Sequence, residues 1–234
     1  MANVCIITGA GSGIGRATAI QVSNIKDYDV IVLIGRTRET LEQTKKMMNQ
    51  NKIVDTIVFD LLNLQEIPNL IRNIYNKYNS INTLLNIAGF TDPQPLLTTS
   101  LESMTKTYEV NVFAPFMLIR ECVRYMRLND DISKILNVAS TAGISARPGW
   151  LSYASSKAAL VAVSQTLTEE LSEYKIKMYC VSPGRCATAL RRKLAPDEDQ
   201  SKIMQPEEVG KIICELVSYG EQCLDGQNII IRKK

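Results

Sequence analysis

Short runs of aliphatic and β-branched residues alternate along this chain with longer amphipathic segments. Short apolar runs bounded by turn residues predict strands, and apolar residues that recur every three or four positions predict helices. Helical patterns fill most of the gaps between the strands. The predicted strands are Val4 to Thr8, Val30 to Ile34, Ile53 to Phe59, Thr83 to Ile87, Ile135 to Val138, Lys177 to Val181 and Asn228 to Ile231.

Strand–helix alternation of this kind predicts the fold class. Right-handed crossovers place successive strands parallel in one sheet and cover both of its faces with helices. We therefore expect an α/β fold, a Rossmann-type doubly wound sheet of about seven mostly parallel strands in a single domain over 1–234. Ligands should bind at the carboxyl ends of the strands. The least regular segments are 90–99 and about 185–205, both of which follow predicted strand ends, and the second is the expected substrate loop.

Charge and composition indicate which kinds of molecule the protein is not expected to bind. The 27 basic and 24 acidic residues are spread along the chain and give a formal charge of only +3, so we expect neither nucleic acid nor membrane as a partner. Histidine is absent. This removes the commonest general base and the commonest metal ligand, so we expect no metal site, and acid–base chemistry must use other groups.

The cysteines and the hydropathy pattern predict where the protein resides. Six cysteines are scattered singly along the chain, and several lie in apolar runs, which indicates reduced, mostly packed thiols. The N-terminus has no signal-peptide pattern, and no apolar run approaches the roughly 20 residues that cross a bilayer. These observations predict a cytoplasmic protein. Cys186 alone lies near the expected site, and we assign it no role.

A glycine-rich turn follows the first predicted strand and precedes a helix predicted over 16–24. Glycines allow a tight turn and close backbone approach to a pyrophosphate, and the helix N-terminus offers unpaired N–H groups to the anion. The position of the turn favours dinucleotide binding over an ordinary β–α turn. Its residues are Thr8, Gly9, Ala10, Gly11, Ser12, Gly13, Ile14 and Gly15.

The end of the second strand carries the signal for the type of cofactor. An acidic residue at this point would bind the ribose hydroxyls of NAD, but the chain has Gly35-Arg36-Thr37-Arg38. A guanidinium group can pair with the 2′-phosphate of NADP, so Arg36, helped by Arg16 or Arg38, favours NADP(H) over NAD(H). The alternative is that these arginines are solvated turn residues.

Three polar residues form the candidate catalytic set. Tyr153 and Lys157 stand four positions apart on one face of a predicted helix, and Ser140 follows the fifth strand. The reference pKa of tyrosine is about 10, so activity near neutral pH requires stabilisation of the phenolate, which a neighbouring lysine and a cationic nicotinamide can supply. Ser140 would then hold the substrate oxygen against Tyr153.

In combination, these motifs resemble those of the short-chain dehydrogenase/reductase family, and the resemblance covers nearly the whole chain. The glycine turn resembles the cofactor turn of the family, and further motifs occur in the family's order. Those motifs are Asp60-Leu61 beside the adenine, Asn86-Ile87-Ala88-Gly89 on the fourth strand, the tetrad Asn111, Ser140, Tyr153 and Lys157, and Pro183-Gly184 with Thr188 beside the nicotinamide.

The resemblance implies a role for each member of this set. Tyr153 would be the general acid in reduction and the base in oxidation, and Lys157 would bind the nicotinamide ribose and lower the tyrosine pKa. Asn111 would hold a water that links Lys157 to a proton relay, and Thr188 would contact the carboxamide. Taken singly, Asn111 could be a polar group at a helix bend, Thr188 a helix cap and Asp60 a turn residue. Ile87 departs from the family, which commonly has a second asparagine there, and this puts a sheet-supporting hydrogen bond in doubt. The segment 185–205 is also shorter than the substrate lid of many members of the family, which predicts an open or lightly covered pocket.

Residues near the catalytic set are candidates for the substrate pocket. Ala142 and Trp150 are the main candidates, with Ile144 and Ser152 beside them, although Trp150 could instead pack at a helix start or a subunit surface. The run 191–193 could meet an anionic substrate, but a solvated helix face is the simpler interpretation. The segment 153–171 has more small and apolar residues than one packed face requires, and the resemblance implies that it joins a second subunit in a homodimer or homotetramer.

The sequence thus predicts an oxidoreductase that transfers a hydride between NADP(H) and a small carbonyl or alcohol substrate. The alternative from another class is a regulatory protein that senses NADP(H) without turnover, which would not need Ser140, Tyr153 and Lys157. An epimerase or dehydratase with tightly held NAD fits less well, because such relatives usually have larger substrate domains and an acidic residue after the second strand.

Overall fold

A computed structural model of the chain describes residues 2–233, with the side chain of Lys193 excepted. Seven parallel strands form one sheet in the order β3-β2-β1-β4-β5-β6-β7, which confirms the predicted fold class. The strands are β1 Val4–Thr8, β2 Val30–Gly35, β3 Ile53–Val58, β4 Thr83–Asn86, β5 Ser133–Val138, β6 Ile176–Pro183 and β7 Asn228–Ile231.

Eight α-helices among the described residues connect these strands or follow them. One five-residue π-helical turn, Glu109–Phe113, directly precedes the fifth helix. The helices are α1 Gly13–Val22, α2 Arg38–Lys46, α3 Ile67–Tyr78, α4 Leu101–Tyr108, α5 Ala114–Met126, α6 Leu151–Leu171, α7 Ala189–Leu194 and α8 Pro206–Val217.

The continuous apolar runs of the strands are explained by burial on both faces. In β1, Cys5 and Ile7 belong to a core shared with α1 and α8, and Val4 and Ile6 belong to a second core shared with α3 and α5. Alternate side chains of a strand point to opposite faces, so a central strand such as β1 has apolar residues at successive positions. This is why strict alternation of apolar and polar residues is missing from the sequence.

Several element bounds differ from the prediction. β5 begins at Ser133 and not at Ile135, because the polar pair Ser133 and Lys134 is buried and continues the parallel register with β6. The Lys134 ammonium is satisfied by the backbone carbonyls of Leu216, Ser218 and Glu221 at 3.2, 2.6 and 2.9 Å. The first helix spans Gly13–Val22 and not 16–24, so it begins inside the glycine turn.

The topology places a crevice at the carboxyl ends of β1 and β4. β1 pairs with β2 on one side and with β4 on the other, so the strand order reverses direction at this point. Ligands of doubly wound folds bind in the crevice at such a reversal. The glycine turn after β1 and the Asn86-Ile87-Ala88-Gly89 segment at the end of β4 therefore meet at the same edge of the sheet.

The segment 185–205 has more structure than the sequence predicts. Residues Cys186 and Met204 form an isolated parallel bridge, and α7 and a short 3-10 turn, Gln200–Lys202, lie between them. Among the helices of residues 2–233, none combines the length and the apolar character needed to cross a bilayer.

Candidate active site

Loops at the carboxyl ends of the strands enclose one cleft of about 640 Å³ that opens to solvent. It extends from the glycine turn to the loops after β4, β5 and β6, and α7 forms part of one wall. Most of the residues predicted from the sequence line it. They are Gly9, Gly11, Ser12, Gly13, Ile14, Gly15, Arg36, Asp60, Leu61, Ala88, Gly89, Ser140, Ala142, Trp150, Tyr153, Lys157, Pro183, Gly184 and Thr188.

The glycine turn packs so closely against its surroundings that side chains are excluded. A Cβ atom on Gly15 would lie 2.1 Å from the carbonyl oxygen of Gly9, and one on Gly9 would lie 2.9 Å from Cα of Ala88. Gly9 also has a φ of +68°, which favours glycine. The Ser12 side chain makes no capping hydrogen bond to α1, so the N–H groups of the first helical turn remain available to an anion.

Two predicted cofactor residues support the cleft from behind instead of lining it. Thr8 is buried, and its hydroxyl accepts hydrogen bonds from the N–H groups of Ile87 and Ala88 at 3.0 and 3.2 Å. Asn86 is also buried and donates to Asn137 Oδ1 at 2.9 Å, which joins β4 to β5. This bond joins β4 to β5 without a second asparagine at position 87. The side chain of Ile87 belongs instead to the apolar core.

Arg36 marks one end of the cleft. Its side chain is exposed, it lines the cleft with Thr37 and Thr40, and it has no carboxylate partner among the described residues. Arg16 does not line the cleft, and its guanidinium donates to the carbonyl of Gly11 at 2.6 Å and to Thr44 Oγ1 at 3.2 Å. Arg38 does not line the cleft. Arg36 is thus a cation of this end that no described carboxylate neutralises.

The neighbouring part of the cleft contains Asp60 and Leu61 after β3. Asp60 Oδ1 accepts a hydrogen bond from Leu62 N at 3.1 Å, so this carboxylate also shapes its own turn. Phe90 and Lys106 line the same cleft, and the Lys106 ammonium lies 5.0 Å from the centroid of the Phe90 ring. Neither residue is predicted from the sequence, because no local pattern indicates that the irregular segment after β4 lies next to α4.

The other end of the cleft holds the catalytic candidates Ser140, Tyr153 and Lys157. Ser140 Oγ accepts a hydrogen bond from Ala142 N at 3.1 Å, which fixes the turn after β5. Burial raises the pKa of the Tyr153 phenol above its usual value, and the neighbouring Ser140 hydroxyl acts in the opposite direction. Tyr153 packs edge-on against Trp150, with ring centroids 5.8 Å apart. Trp150 therefore borders the Tyr153 phenol.

Lys157 lies below Tyr153 on the same face of α6, as the four-residue spacing predicts. Its Nζ is 5.9 Å from the centroid of the Tyr153 ring and donates to the carbonyl of Val138 at 2.7 Å. The lysine is almost completely buried, and this burial lowers the pKa of its ammonium group to about 8. A lysine with such a pKa keeps most of its charge at neutral pH, and the charge lies beside the phenol.

Asn111 lies in the π-helical turn and does not line the cleft, but its side chain connects two segments that form the cleft. Its Oδ1 accepts from Phe90 N and its Nδ2 donates to Phe90 O, both at 2.8 Å. Nδ2 also donates to Ser156 Oγ at 3.0 Å, so Asn111 ties the loop after β4 to α6. π-Helical turns are often found at functional sites. This one directs Asn111 towards both segments at once.

The segment after β6 closes the cleft over the glycine turn. Thr188 caps α7 by accepting from Arg191 N at 3.1 Å, and its methyl group would lie 3.2 Å from a Cβ atom on Gly13. Thr188 is thus a helix cap that also lines the cleft. Cys186 is buried, and burial raises the pKa of its thiol to about 12, so the thiol stays protonated at neutral pH.

The remaining candidates from the sequence differ in whether they line the cleft and in whether their charges are paired. Ala142 and Trp150 line the cleft, but Ile144 and Ser152 do not. Arg191 lines it too, yet Glu198 pairs with its guanidinium through both carboxylate oxygens, so this arginine is not free to meet an anion on its own. Arg192 is exposed, as a solvated helix face requires, and the side chain of Lys193 lies outside the described residues.

Comparison with known proteins identifies the family. The family model described as short chain dehydrogenase matches residues 3–199. The chain is similar to the 3-oxoacyl-acyl-carrier-protein reductase FabG of Thermotoga maritima, with 29% identity over 97% of this chain and 94% of that protein. It is also similar to human estradiol 17-beta-dehydrogenase 11, with 33% identity over 88% of this chain and 68% of that protein.

Solved structures show the same similarity. A short chain dehydrogenase from Shigella flexneri complexed with NADP superposes with a TM-score of 0.89, at 25% identity over 97% of this chain and 96% of that chain. A short chain dehydrogenase from Escherichia coli complexed with NADPH gives a TM-score of 0.89 at 25% identity over 97% and 95% of the two chains. The chain belongs to the short-chain dehydrogenase/reductase family of oxidoreductases, with the NAD(P)-binding Rossmann fold of that family.

Proposed function

We propose that this protein is an NADP(H)-dependent oxidoreductase that interconverts a carbonyl group and an alcohol on a small molecule, with Tyr153 as the acid and base. The observation that carries the proposal is the shared cleft. Ser140, Tyr153 and Lys157 line one end of it, and the glycine turn and Arg36 line the other. One bound dinucleotide can therefore reach from a phosphate-binding arginine to a proton donor.

The residues of the cleft fit this cofactor. The backbone of the glycine turn leaves no room for a Cβ atom on Gly15, and the first N–H groups of α1 are uncapped, so the turn suits a pyrophosphate. Arg36 has no carboxylate partner among the described residues and would pair with a 2′-phosphate. Asp60 and Leu61 would flank the adenine, and Pro183, Gly184 and Thr188 would flank the nicotinamide. The two similar structures described above hold NADP or NADPH.

The proton chemistry belongs to Tyr153 and its neighbours. When bound, the nicotinamide cofactor supplies or accepts the hydride at the carbonyl carbon. In reduction, the Tyr153 hydroxyl donates its proton to the carbonyl oxygen, which Ser140 holds by a hydrogen bond, and the phenolate then regains a proton from solvent. In oxidation the phenolate takes the proton of the alcohol. Since burial keeps the Tyr153 pKa high without ligands, the protein starts with the protonated form that reduction requires.

Lys157 makes proton release by Tyr153 less costly. The ammonium charge lies 5.9 Å from the centre of the phenol ring in a buried site, where solvent screens it poorly. It stabilises the phenolate relative to the phenol and so opposes the effect of burial on the tyrosine. The same ammonium would donate to the ribose hydroxyls of the cofactor. Asn111 positions both segments through its bonds to Phe90 and Ser156.

The proposal is tested by following NADPH oxidation with a panel of aldehydes and ketones. Wild-type protein should turn over at least one of them, and Tyr153→Phe should lower kcat by about 10²- to 10⁴-fold, the usual contribution of general acid–base catalysis. Tyr174→Phe is a matched control, because Tyr174 is exposed beyond the end of α6. Tight NADPH binding without Tyr153-dependent turnover on the whole panel would favour the sensor interpretation.

A further inference from the structure

A second concave region adjoins the active-site cleft and is strongly basic. This basic recess has a volume of about 480 Å³ and lies between the turn after β5, the loop after β6 and the residues that follow β7. None of the described side chains that line it is acidic. Its cationic lining residues are Arg147, Arg185, Arg191, Lys202, Arg232 and Lys233.

The charges around the basic recess are only partly neutralised. Glu198 is shared between Arg185 and Arg191, while Asp199 lies 3.5 Å from Lys202 and Glu208 lies 3.6 Å from Lys233. Six cations thus meet three carboxylates, which leaves an excess of three positive charges. Arg147 and Arg232 have no carboxylate partner among the described residues. A concave surface with an excess of one charge sign concentrates ligands of the opposite sign.

The basic recess is continuous with the catalytic end of the cleft. The two share Thr141, Arg147, Gly184, Arg185 and Arg191 as lining residues. Thr141 directly follows the catalytic candidate Ser140. A ligand that enters past Tyr153 can therefore extend into the basic recess without leaving the protein surface.

Local backbone contacts hold the two unpaired arginines in place. The carbonyl of Arg147 accepts a hydrogen bond from Trp150 N at 3.0 Å, which anchors Arg147 one turn from the indole that borders Tyr153. Arg232 lies beside Gly184, because Gly184 N donates to the carbonyl of Ile231 at 2.8 Å and a Cβ atom on Gly184 would lie 3.4 Å from Cβ of Arg232.

We propose that the basic recess binds the phosphate group of the substrate, so that the substrate class is a carbonyl compound or alcohol with a phosphorylated tail. This inference rests on the proposed function, since it places the reacting carbonyl at Ser140 and Tyr153. The guanidinium groups of Arg147 and Arg232 supply planar, paired donors that suit phosphate oxygens. The four paired cations around them outnumber their three carboxylates by one, which adds to the positive potential of the recess.

A phosphorylated tail can come from two sources, and two substrate pairs distinguish them. Acetoacetyl-coenzyme A and the acetoacetyl thioester of N-acetylcysteamine share one reacting carbonyl, but only the first carries phosphates. Dihydroxyacetone phosphate and dihydroxyacetone form the corresponding pair for a small free phosphate ester. In at least one pair, the phosphorylated member should have a kcat/KM at least about tenfold higher than its neutral partner, and the advantage should shrink as salt screens the charges.

Substitutions test whether the basic recess is responsible for that preference. Arg147→Ala and Arg232→Ala should each lower kcat/KM for the preferred phosphorylated substrate by about tenfold, the usual effect of a lost hydrogen bond to a charged group, and leave the neutral partner within twofold. Arg127→Ala is the matched control, since Arg127 is exposed at the end of α5 and lines neither concave region. Equal losses on charged and neutral substrates, or no preference for phosphate in either pair, would overturn the proposal.

A binding measurement separates this proposal from the proposed function. Calorimetric titration of the NADP⁺-saturated protein with inorganic pyrophosphate should show binding that is weakened by Arg147→Ala and Arg232→Ala and unchanged by Arg127→Ala. If pyrophosphate does not bind, or binds equally well to both arginine variants, the recess is not a phosphate site, even if the enzyme reduces neutral ketones. Conversely, arginine-dependent binding without any Tyr153-dependent turnover would support the recess and contradict the proposed oxidoreductase activity.

Discussion

Lys157 Nζ donates a hydrogen bond to the backbone carbonyl of Val138, 2.7 Å away, and so ties the middle of α6 to the carboxyl end of β5. Val138 is the last residue of β5 and lies two positions before Ser140. The contact therefore holds the turn that carries the serine against the helix that carries Tyr153. It also fixes the ammonium group in a buried site, where its pKa falls to about 8.

This buried lysine predicts a pH dependence of carbonyl reduction. The ammonium is charged below about pH 8 and loses its proton above it, because burial lowers the pKa of Lys157 from its ordinary value. The charge favours the Tyr153 phenolate that forms as the proton is donated. The value of kcat at saturating NADPH should therefore be nearly constant from pH 6 to about 7.5 and decline by about tenfold above pH 8 as this charge is lost.

The variant Lys157→Met is the control for that assignment, since methionine is also long and unbranched but carries no charge. Its kcat at saturating NADPH should be lower by about tenfold at neutral pH and should show no decline above pH 8. A Lys157→Met profile that falls in the same pH range as that of the wild type would assign the titration to a different group.

Arg36 predicts the preference between the two nicotinamide cofactors. Arg36→Ala removes the guanidinium that would pair with the 2′-phosphate, so the Kd for NADPH should rise by about tenfold to hundredfold while the Kd for NADH changes little. Arg38→Ala is a matched control, because Arg38 is exposed two residues away and does not line the cleft. Fluorescence titration of the wild type, Arg36→Ala and Arg38→Ala with NADPH and with NADH measures the effect. An equal loss of affinity for both cofactors would show that Arg36 does not read the 2′-phosphate.

The packing of the glycine turn predicts that Gly15 tolerates no side chain. Gly15→Ala would place a Cβ atom 2.1 Å from the Gly9 carbonyl oxygen, so the turn must shift. Overpacking of this kind costs about 1–3 kcal/mol. The thermal midpoint should fall by about 2–4 °C for each kcal/mol, and NADPH binding should weaken because the N–H groups of the turn move.

Gly220→Ala controls for the general effect of adding a methyl group. A Cβ atom there would lie 3.9 Å from Ser218 Oγ, which is ordinary contact, and Gly220 has no positive φ. This variant should melt within about a degree of the wild type and bind NADPH normally. Equal thermal midpoints and NADPH affinities for the two variants would contradict the close packing of Gly15.

The sequence predicted the fold and the outline of the site because both depend on local patterns. Apolar runs specify the strands, and a four-residue spacing on a helix is enough to place Tyr153 and Lys157 on one face. Side-chain direction depends instead on tertiary contacts. Thr8, Asn86 and Asn111 occupy the positions expected of site residues, yet each turns into the protein to make hydrogen bonds behind the cleft.

Contacts between side chains that are distant along the chain, or separated by a loop, could not be predicted from the sequence either. Arg191 looked like a candidate for an anionic ligand, but Glu198 seven positions later neutralises it. Arg147 and Arg232 each look like an ordinary surface cation, and only the folded chain brings both into one basic recess. Ser133 and Lys134 are too polar to suggest a buried strand, and the carbonyl groups that satisfy Lys134 lie more than 80 residues further along the chain.

The outer surface of α5 and α6 predicts self-association. Phe113 and Phe116 are 46% and 47% exposed, Leu151 is 52% exposed, and Ala158 on α6 also faces outwards. α6 packs beside the π-helical turn that contains Phe113, and α5 directly follows that turn, so these exposed side chains lie on neighbouring elements. Large exposed apolar side chains on neighbouring elements are a feature of contact sites. We therefore expect a homodimer or homotetramer in which this surface of one chain meets a second copy.

Light scattering on the purified protein tests that expectation. The wild type should have at least twice the mass of one chain, and Phe116→Asp should shift the population towards monomer, because burying an unpaired carboxylate in an apolar interface is costly. Leu128→Asp is the control, since Leu128 is 65% exposed but lies beyond the far end of α5. A monomeric wild type would refute the prediction. If Phe116→Asp has the same oligomeric mass as the wild type, the interface lies on a different surface.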